Sequence, residues 1–230
     1  MRRSYAAYAA GAVAAAVSAG FAAPGGTVVG NAALRHGSQV AWLKEGSMAL
    51  HPAPGSPQVS ATIANRTEFG SRTSLPVVGA RGDWLEVIST KLGNGVHGFV
   101  RRWQVQLTWS PVAIDVDLSG RLLRVWRRGI VVFRAAVGIG AARSPTPIGR
   151  FGITDKLTGL NPAAYGCCIL ALSAHQTRLP RGWPGGDRIA IHGGGGIGAA
   201  TSNGCLHATT VVLRRLMRSV PLGTQVVVHP

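Results

Sequence analysis

Short apolar runs separated by turn-forming residues dominate the chain from residue 39 onward. Between 39 and 109, β-branched and other apolar residues alternate with polar ones, and turn signals such as PAPG, ARGD and KLGNG separate the runs. Strands of that length and spacing are typical of a small barrel. We therefore predict a small β-barrel domain over 39–109.

A second unit, also rich in strands, is predicted over 111–230. Its strands are expected at Leu122–Trp126 and Ile130–Val137, in DRIAIHG up to His192, and in the closing GTQVVVH. Loops at the strand ends are the expected place for its chemistry.

Helical spacing occurs clearly in one segment of this unit. Behind an N-cap at Thr209 or Thr210, apolar residues recur at i, i+3, i+4 and i+7, and Pro221 ends the pattern. The predicted fold class is therefore mainly β, with one clear helix.

The first 23 residues have the pattern of an export signal. A positive MRR is followed by a largely apolar, alanine-rich run with small-residue cleavage options. We expect either a signal peptide or an uncleaved N-terminal anchor over 1–23, and a Gly-, Ala- and Pro-rich linker over 24–38. The body is then exported to the periplasm or cell wall, and it touches the membrane only through that first segment.

Charge and composition exclude several classes of function. The net charge is +16, from 24 Lys and Arg against 8 Asp and Glu, which favours anionic polymers as partners. No helix-turn-helix or finger pattern supports nucleic-acid binding. After Asp155 only Asp187 remains as an acid, too few for a two-carboxylate glycosidase or a magnesium or calcium site.

The stretch IAIHGGGGIGAATSNGCLH, residues 189–207, concentrates the residues that chemistry needs. A phosphate loop is disfavoured because no Lys-Ser or Lys-Thr follows the glycines, and a zinc site because no paired ligand spacing occurs. A thiolate nucleophile needs a base, and His192 could serve Cys205 in that way, with the Gly204 and Cys205 amides stabilising an oxyanion. The pattern alone leaves a nucleophile and a buried structural cysteine equally open.

The other two cysteines, Cys167 and Cys168, are neighbours in an apolar run. We expect at least one to pack in the core and a bond between them to be strained. An odd cysteine count leaves at least one free thiol in an oxidising compartment.

Two resemblances extend this interpretation. HGGGGIGAATSNGCLH resembles the active-site signature of the L,D-transpeptidases (YkuD-type domain), and SPTPIGRFGIT and VPLGTQVVV resemble two further elements of that family in the same order. GDWLEV and GVHGFVRRWQV are similar to strands of bacterial SH3-like domains. The expected architecture is thus an SH3-like β-barrel over 39–109 and an L,D-transpeptidase catalytic domain over 111–230.

The family resemblance implies specific roles for residues of this chain. Cys205 is the nucleophile, His192 the general base, and the Gly193 carbonyl orients the imidazole. The oxyanion donor and the loop are formed by Gly204, Ser202 and Asn203. The substrate-binding group consists of His207, Tyr165 and His175. Asn203 stands where the family has histidine, and His207 where it has arginine.

The implied function is an exported cysteine L,D-transpeptidase that cross-links peptidoglycan stem peptides through a Cys205 thioester, without metal or organic cofactor. An L,D-carboxypeptidase using the same site and a non-catalytic cell-wall-binding protein with a decayed site stay open as alternatives. We further expect residues 39–109 to position or tether the enzyme, so that removing 24–107 weakens wall binding more than it weakens turnover of a small soluble donor.

Overall fold

The structure, a computed structural model, describes residues 27–28, 34–44, 46–183 and 185–230. The predicted signal or anchor at 1–23 lies outside the described residues. So does much of the predicted linker, but Thr27–Val28 form a strand and Ser38 already begins the next one. Backbone pairing with a neighbouring strand therefore overrides the linker-like composition at both places.

The part of the chain up to Ser110, which we call the N-terminal unit, is built from antiparallel strands. Their order in the main sheet is β7-β6-β5-β2-β8, with β1 paired to β5, while β3 and β4 form a separate hairpin. The strands are β1 Thr27–Val28, β2 Ser38–Leu43, β3 Ser47–Leu50, β4 Ala61–Ala64, β5 Ser74–Arg81, β6 Trp84–Val87, β7 Gly98–Arg101 and β8 Val105–Ser110. A buried cluster that includes Leu43, Leu50 and Leu85 forms its core.

The part from Pro111 onward, the C-terminal unit, contains an eight-stranded sheet in the order β11-β10-β9-β18-β13-β14-β15-β17. Its strands are β9 Val112–Asp117, β10 Leu122–Arg127, β11 Ile130–Ala136, β12 Ile139–Gly140, β13 Gly149–Thr158, β14 Cys168–His175, β15 Arg188–Gly193, β16 Ala200–Ser202, β17 Leu206–Ala208 and β18 Gln225–His229. The two short strands β12 and β16 pair with each other. The mainly β fold class is confirmed.

Two α-helices complete the described part of this unit: α1, Pro162–Tyr165, and α2, Thr210–Ser219. The helix predicted behind Thr209 is confirmed as α2, because the Thr209 side chain accepts a hydrogen bond from the Val212 amide and Val220 ends it. Leu213 and Leu216 bury its apolar stripe against β14 and β15.

Alternation along the strands separates a core face from an open face. Leu170, Ile191 and Leu206 lie in the core that α2 covers. Because successive strand side chains point to opposite faces, the residues next to them, such as Ile169, His192 and His207, lie on the other face. The predicted catalytic histidine therefore faces away from the core.

The two units pack closely against each other. Fully buried Gln225 on β18 donates through Nε2 to the Val77 carbonyl oxygen at 2.9 Å. At Gly152 a Cβ atom would overlap the Pro76 ring, so the packing requires glycine there. The N-terminal unit is thus part of one packed body with the eight-stranded sheet.

Candidate active site

A cleft of about 540 Å³ lies over the open face of β13, β14, β15 and β17. Its floor carries Cys205, His192 and His207, and its rim carries aromatic and aliphatic side chains such as Tyr165 and Trp183. Clefts of this size with a few convergent polar groups are the usual form of small-molecule and peptide sites.

Strand pairing brings the predicted nucleophile, Cys205, and the predicted base, His192, to the same face. β15 and β17 run parallel with His192 beside His207 and Ile191 beside Leu206. Cys205, one position before Leu206, therefore falls beside Ala190 and shares the open face with His192. Both residues lie in the described part of the chain, and no hydrogen bond joins them there. Contacts of this kind often tighten only when substrate binds.

The loop before Cys205 is held by side chains on three sides. Ser202 Oγ donates to the Cys205 carbonyl oxygen at 2.6 Å and accepts from the Gly204 amide at 3.1 Å. Thr146 Oγ1 donates to the Gly204 carbonyl oxygen at 2.8 Å, and Gln176 Nε2 to that of Asn203 at 3.0 Å. These hydrogen bonds fix the backbone on both sides of Gly204, and we expect Ser202 to position Cys205 through them.

The Gly204 amide donates to Ser202 Oγ, which changes the expectation about the oxyanion donors. The sequence offered the amides of Gly204 and Cys205 as oxyanion donors. Because Gly204 already donates to Ser202 Oγ, only the Cys205 amide of this pair is kept as a candidate donor. Gly204 itself serves the loop's shape, since its φ of +116° favours glycine.

His192 is buried, and its orientation is fixed by its own neighbour. Nδ1 donates to the Gly193 carbonyl oxygen at 2.6 Å, so in the neutral ring Nε2 carries the lone pair that a base needs. The ring also meets Tyr165 edge to face, with centroids 5.0 Å apart. A Cβ at Gly193 would lie 2.8 Å from the Gly166 Cα, so glycine is required for this close approach.

Burial favours the uncharged forms of both groups. Desolvation raises the pKa of the Cys205 thiol, with a backbone hydrogen bond at Ala190 opposing the shift. Desolvation lowers the pKa of His192, the Gly193 hydrogen bond opposes this, and the charge of His207 lowers it further. A neutral thiol beside a neutral imidazole, rather than a resting ion pair, follows from these directions.

The two departures from the family signature also lie at the cleft. His207 packs against His192 with ring centroids 4.9 Å apart, and its Nδ1 donates to the Gly195 carbonyl oxygen at 2.7 Å. Asn203 lines the cleft, and its buried Oδ1 has no hydrogen-bond partner within the described chain.

Tyr165 lines the cleft as expected for a substrate-side residue, whereas His175 does not. His175 bonds Asp187 through Nδ1 at 2.9 Å and the Thr90 carbonyl oxygen through Nε2 at 2.9 Å. We therefore correct the expectation that His175 binds substrate. This side chain instead forms a contact between the two units. It forms because Thr90 of the N-terminal unit packs onto the end of β14.

Sequence reasoning missed several cleft residues. Arg143 and Gln176 line the cleft from loops of the C-terminal unit, Trp183 lies on its rim, and Phe69 reaches it from the N-terminal unit. The position of Arg143 directly before the SPTP element was a usable signal. Nothing local marks Phe69.

The cysteines divide into one pair and one free thiol. Cys167 and Cys168 form a disulfide, with Cys168 buried in the core as expected for at least one of them. Cys205 is free, which matches the odd count. Among the described residues, no three His, Cys, Asp or Glu side chains gather as a metal site. In the same residues, no helix has the length and apolar character needed to cross a bilayer.

We predict that Ser202→Ala slows acylation of Cys205 about tenfold. The substitution leaves the Cys205 carbonyl and the Gly204 amide without their partner, so the nucleophile loop loses its fixed position. Single-turnover acylation rates measure the effect, and Ser219→Ala, which removes a hydroxyl bonded within α2, is the matched control. Equal rates for both variants would contradict a positioning role.

Comparison with known proteins places the chain in a family. A family model described as the L,D-transpeptidase catalytic domain, YkuD, matches residues 111–228. Since this is just over half of the chain, the chain belongs to that family. Over 124 residues it is 31% identical to YkuD of Bacillus licheniformis, covering 52% of this chain and 67% of that protein.

Solved structures include further L,D-transpeptidases. One from Mycobacterium smegmatis is 18% identical and covers 64% of this chain and 67% of its own, with a TM-score of 0.41. A mutant enzyme from Enterococcus faecium is 22% identical and covers 52% of this chain, with a TM-score of 0.39. This chain spans 50% of the length of the E. faecium protein. The SH3-like interpretation of residues 39–109 stays a prediction.

Proposed function

We propose that this chain is an exported cysteine L,D-transpeptidase that cross-links peptidoglycan stem peptides. The observation that carries the proposal is the placement of Cys205 and His192 on one face of neighbouring strands, at the floor of one cleft. Family membership supports the reaction class. Export is proposed from the pattern of residues 1–23.

In the first half-reaction His192 Nε2 accepts the thiol proton while Cys205 Sγ attacks the carbonyl carbon before the terminal D-residue of the donor. The carbon–sulfur bond forms, the amide bond breaks, and the leaving amine takes the proton from His192. The products are a thioester on Cys205 and a free D-amino acid. The Cys205 amide is our candidate donor to the oxyanion of the tetrahedral intermediate.

In the second half-reaction the acceptor amine attacks the thioester. It loses a proton to His192, the carbon–sulfur bond breaks, and His192 returns the proton to the sulfur. A new amide cross-link results. If water is the acceptor instead, the same steps give an L,D-carboxypeptidase.

The positive net charge of +16 supports attraction to anionic wall polymers and to stem carboxylates. Such attraction between exposed charges weakens as salt shortens the screening length. No cofactor enters either half-reaction as proposed.

Intact-mass analysis of the protein with a disaccharide-tetrapeptide donor tests the proposal. We expect an adduct equal to the donor less its terminal residue, located on Cys205 by peptide digestion and absent in Cys205→Ala. Adding an acceptor amine should convert the adduct to cross-linked product, and water alone to a trimmed tripeptide. Lack of any adduct on a demonstrably reactive Cys205, with wall binding retained, would instead support the non-catalytic binding protein.

A further inference from the structure

The floor of the cleft is a trench that crosses four strands. Strand pairing sets Asp155 beside Ala171 and Ala171 beside Ala190, and Cys205 follows in the same row. Ala171 and Ala190 line the cleft, and their small side chains leave room above the backbone. With strands about 4.8 Å apart, the row from Cys205 to Asp155 spans about 14 Å, the length of about four extended residues.

A loop of the N-terminal unit covers the far end of this row, at Asp155. The loop, Arg66–Arg72, is a tight hairpin in which the Thr67 amide donates to the Ser71 carbonyl oxygen at 2.9 Å and the two arginines pair through a β-bridge. Thr67 Oγ1 donates to the buried carboxylate of Asp155 at the end of the row.

An ion pair anchors the same loop to β15. Glu68 pairs with Arg188, which also donates through Nη2 to Thr154 Oγ1 at 2.7 Å and through Nε to the Leu172 carbonyl oxygen at 2.9 Å. The Arg188 guanidinium carbon lies 5.9 Å from the centre of the Phe69 ring. Two side chains of the eight-stranded sheet, Asp155 and Arg188, thus hold the loop directly before the ring.

Phe69 lines the cleft, yet 42% of its surface remains exposed. It shares the cleft with four other partly exposed apolar residues, Leu160, Tyr165, Leu179 and Trp183. An exposed aromatic ring on a rigidly anchored loop, in a concave surface with other apolar groups, is typical of a ligand contact. Thr67, two residues before Phe69, bonds Asp155 at the opposite end of the row from Cys205, and this hydrogen bond sets the loop that carries the ring at that end.

Arg143 indicates which end of a donor lies near Phe69, because Arg188, the arginine beside that ring, is already paired with Glu68. Arg143 lines the cleft and belongs to the loop whose Thr146 holds Gly204, next to the nucleophile. Within the described chain Arg143 makes no hydrogen bond or ion pair. A terminal carboxylate, one residue beyond the scissile bond, therefore suits the Cys205 end, and the acyl side extends toward Phe69.

We propose that Phe69 of the N-terminal unit is a substrate-binding residue, which packs against the donor three to four residues before the scissile bond. This assignment rests on the proposed function. It makes the N-terminal unit a wall of the catalytic cleft and favours stem peptides that are long enough, or carry enough glycan, to reach the ring.

Two donors of different length distinguish a substrate contact at Phe69 from a general effect on activity. We expect Phe69→Ala to raise KM for a disaccharide-tetrapeptide about five- to tenfold, the loss of one aromatic contact, with kcat unchanged. A capped dipeptide that contains only the scissile bond should react equally with both proteins. Phe69→Tyr should retain the wild-type KM, and Trp103→Ala, which removes a 70% exposed ring of the same unit outside the cleft, is the matched control.

Calorimetric binding of the disaccharide-tetrapeptide to Cys205→Ala, with and without Phe69→Ala, keeps this test independent of turnover. We expect the same five- to tenfold loss there, and an unchanged thermal midpoint because the anchors at Thr67 and Glu68 remain. Equal affinity with and without the ring, or equal weakening of both donors, would overturn the assignment. If the wild-type protein forms no acyl-enzyme, the proposed function fails while this binding comparison still decides the role of Phe69.

Discussion

Replacing His192 with glutamine should slow acylation of Cys205 about a thousandfold at neutral pH, within the range for loss of a general base. Burial raises the pKa of the Cys205 thiol, so at pH 7 the thiol does not ionise by itself and needs the Nε2 lone pair that the Gly193 hydrogen bond orients. Glutamine fills a similar volume but takes no proton. Single-turnover acylation monitored by mass measures the loss.

The pH profile of the wild-type protein follows from the same two groups. The active form carries a neutral imidazole and a protonated thiol. Since the His192 pKa is lowered, kcat/KM should stay flat as pH falls to about 6.5 and decline only below it. Since the thiol pKa is raised, the decline at high pH should begin above about 8.5, where no proton remains for the leaving amine.

His207→Gln is the matched control, because it removes the neighbouring imidazole at 4.9 Å and leaves the base in place. The charge of His207 lowers the pKa of His192, so its removal should move the acidic decline to higher pH. His192→Gln should instead lose that decline. Similar rates and profiles for the two variants would contradict the assignment of His192 as the base.

The local pattern was sufficient to predict the strand and loop that carry the site. DRIAIHG predicts a strand that ends at His192, and the structure confirms it as β15, with Ile191 in the core and His192 in the cleft. The helix α2 was predictable because its apolar spacing and its Thr209 cap are both local.

Long-range packing decided what the sequence did not predict. His175 is separated from Thr90 by 85 residues, and no local pattern reveals that contact. Phe69 lines the cleft from the N-terminal unit, and the hydrogen bond between Thr67 and Asp155 that holds its loop joins residues 88 positions apart. The hydrogen bond that occupies the Gly204 amide depends on a Ser202 rotamer, which the motif alone does not specify.

The contacts between the units add a structural role to the expectation that residues 39–109 position or tether the enzyme. We predict that a chain starting at Pro111 unfolds at least about 10 °C below the full chain. Removal of the N-terminal unit deprives Gln225, Asp155 and His175 of partners, at about 1 kcal/mol each, and a change of 1 kcal/mol shifts the midpoint of a domain this small by several degrees. Thermal unfolding monitored by circular dichroism tests this, with a chain starting at Pro24 as control.

Gly152→Val separates interface packing from other effects of truncation. In the full chain the new side chain meets the Pro76 ring, and overpacking of this kind costs about 1–3 kcal/mol. In the chain starting at Pro111 that ring is gone, so the same substitution should cost little. The tether interpretation would be restored if the chain starting at Pro111 were as stable and as rapidly acylated as the full chain. Gly152→Val would then also leave the stability of both proteins unchanged. The opposite result would make the N-terminal unit a structural part of the enzyme, since the surface that stabilises β13 and β18 also carries the wall of the cleft.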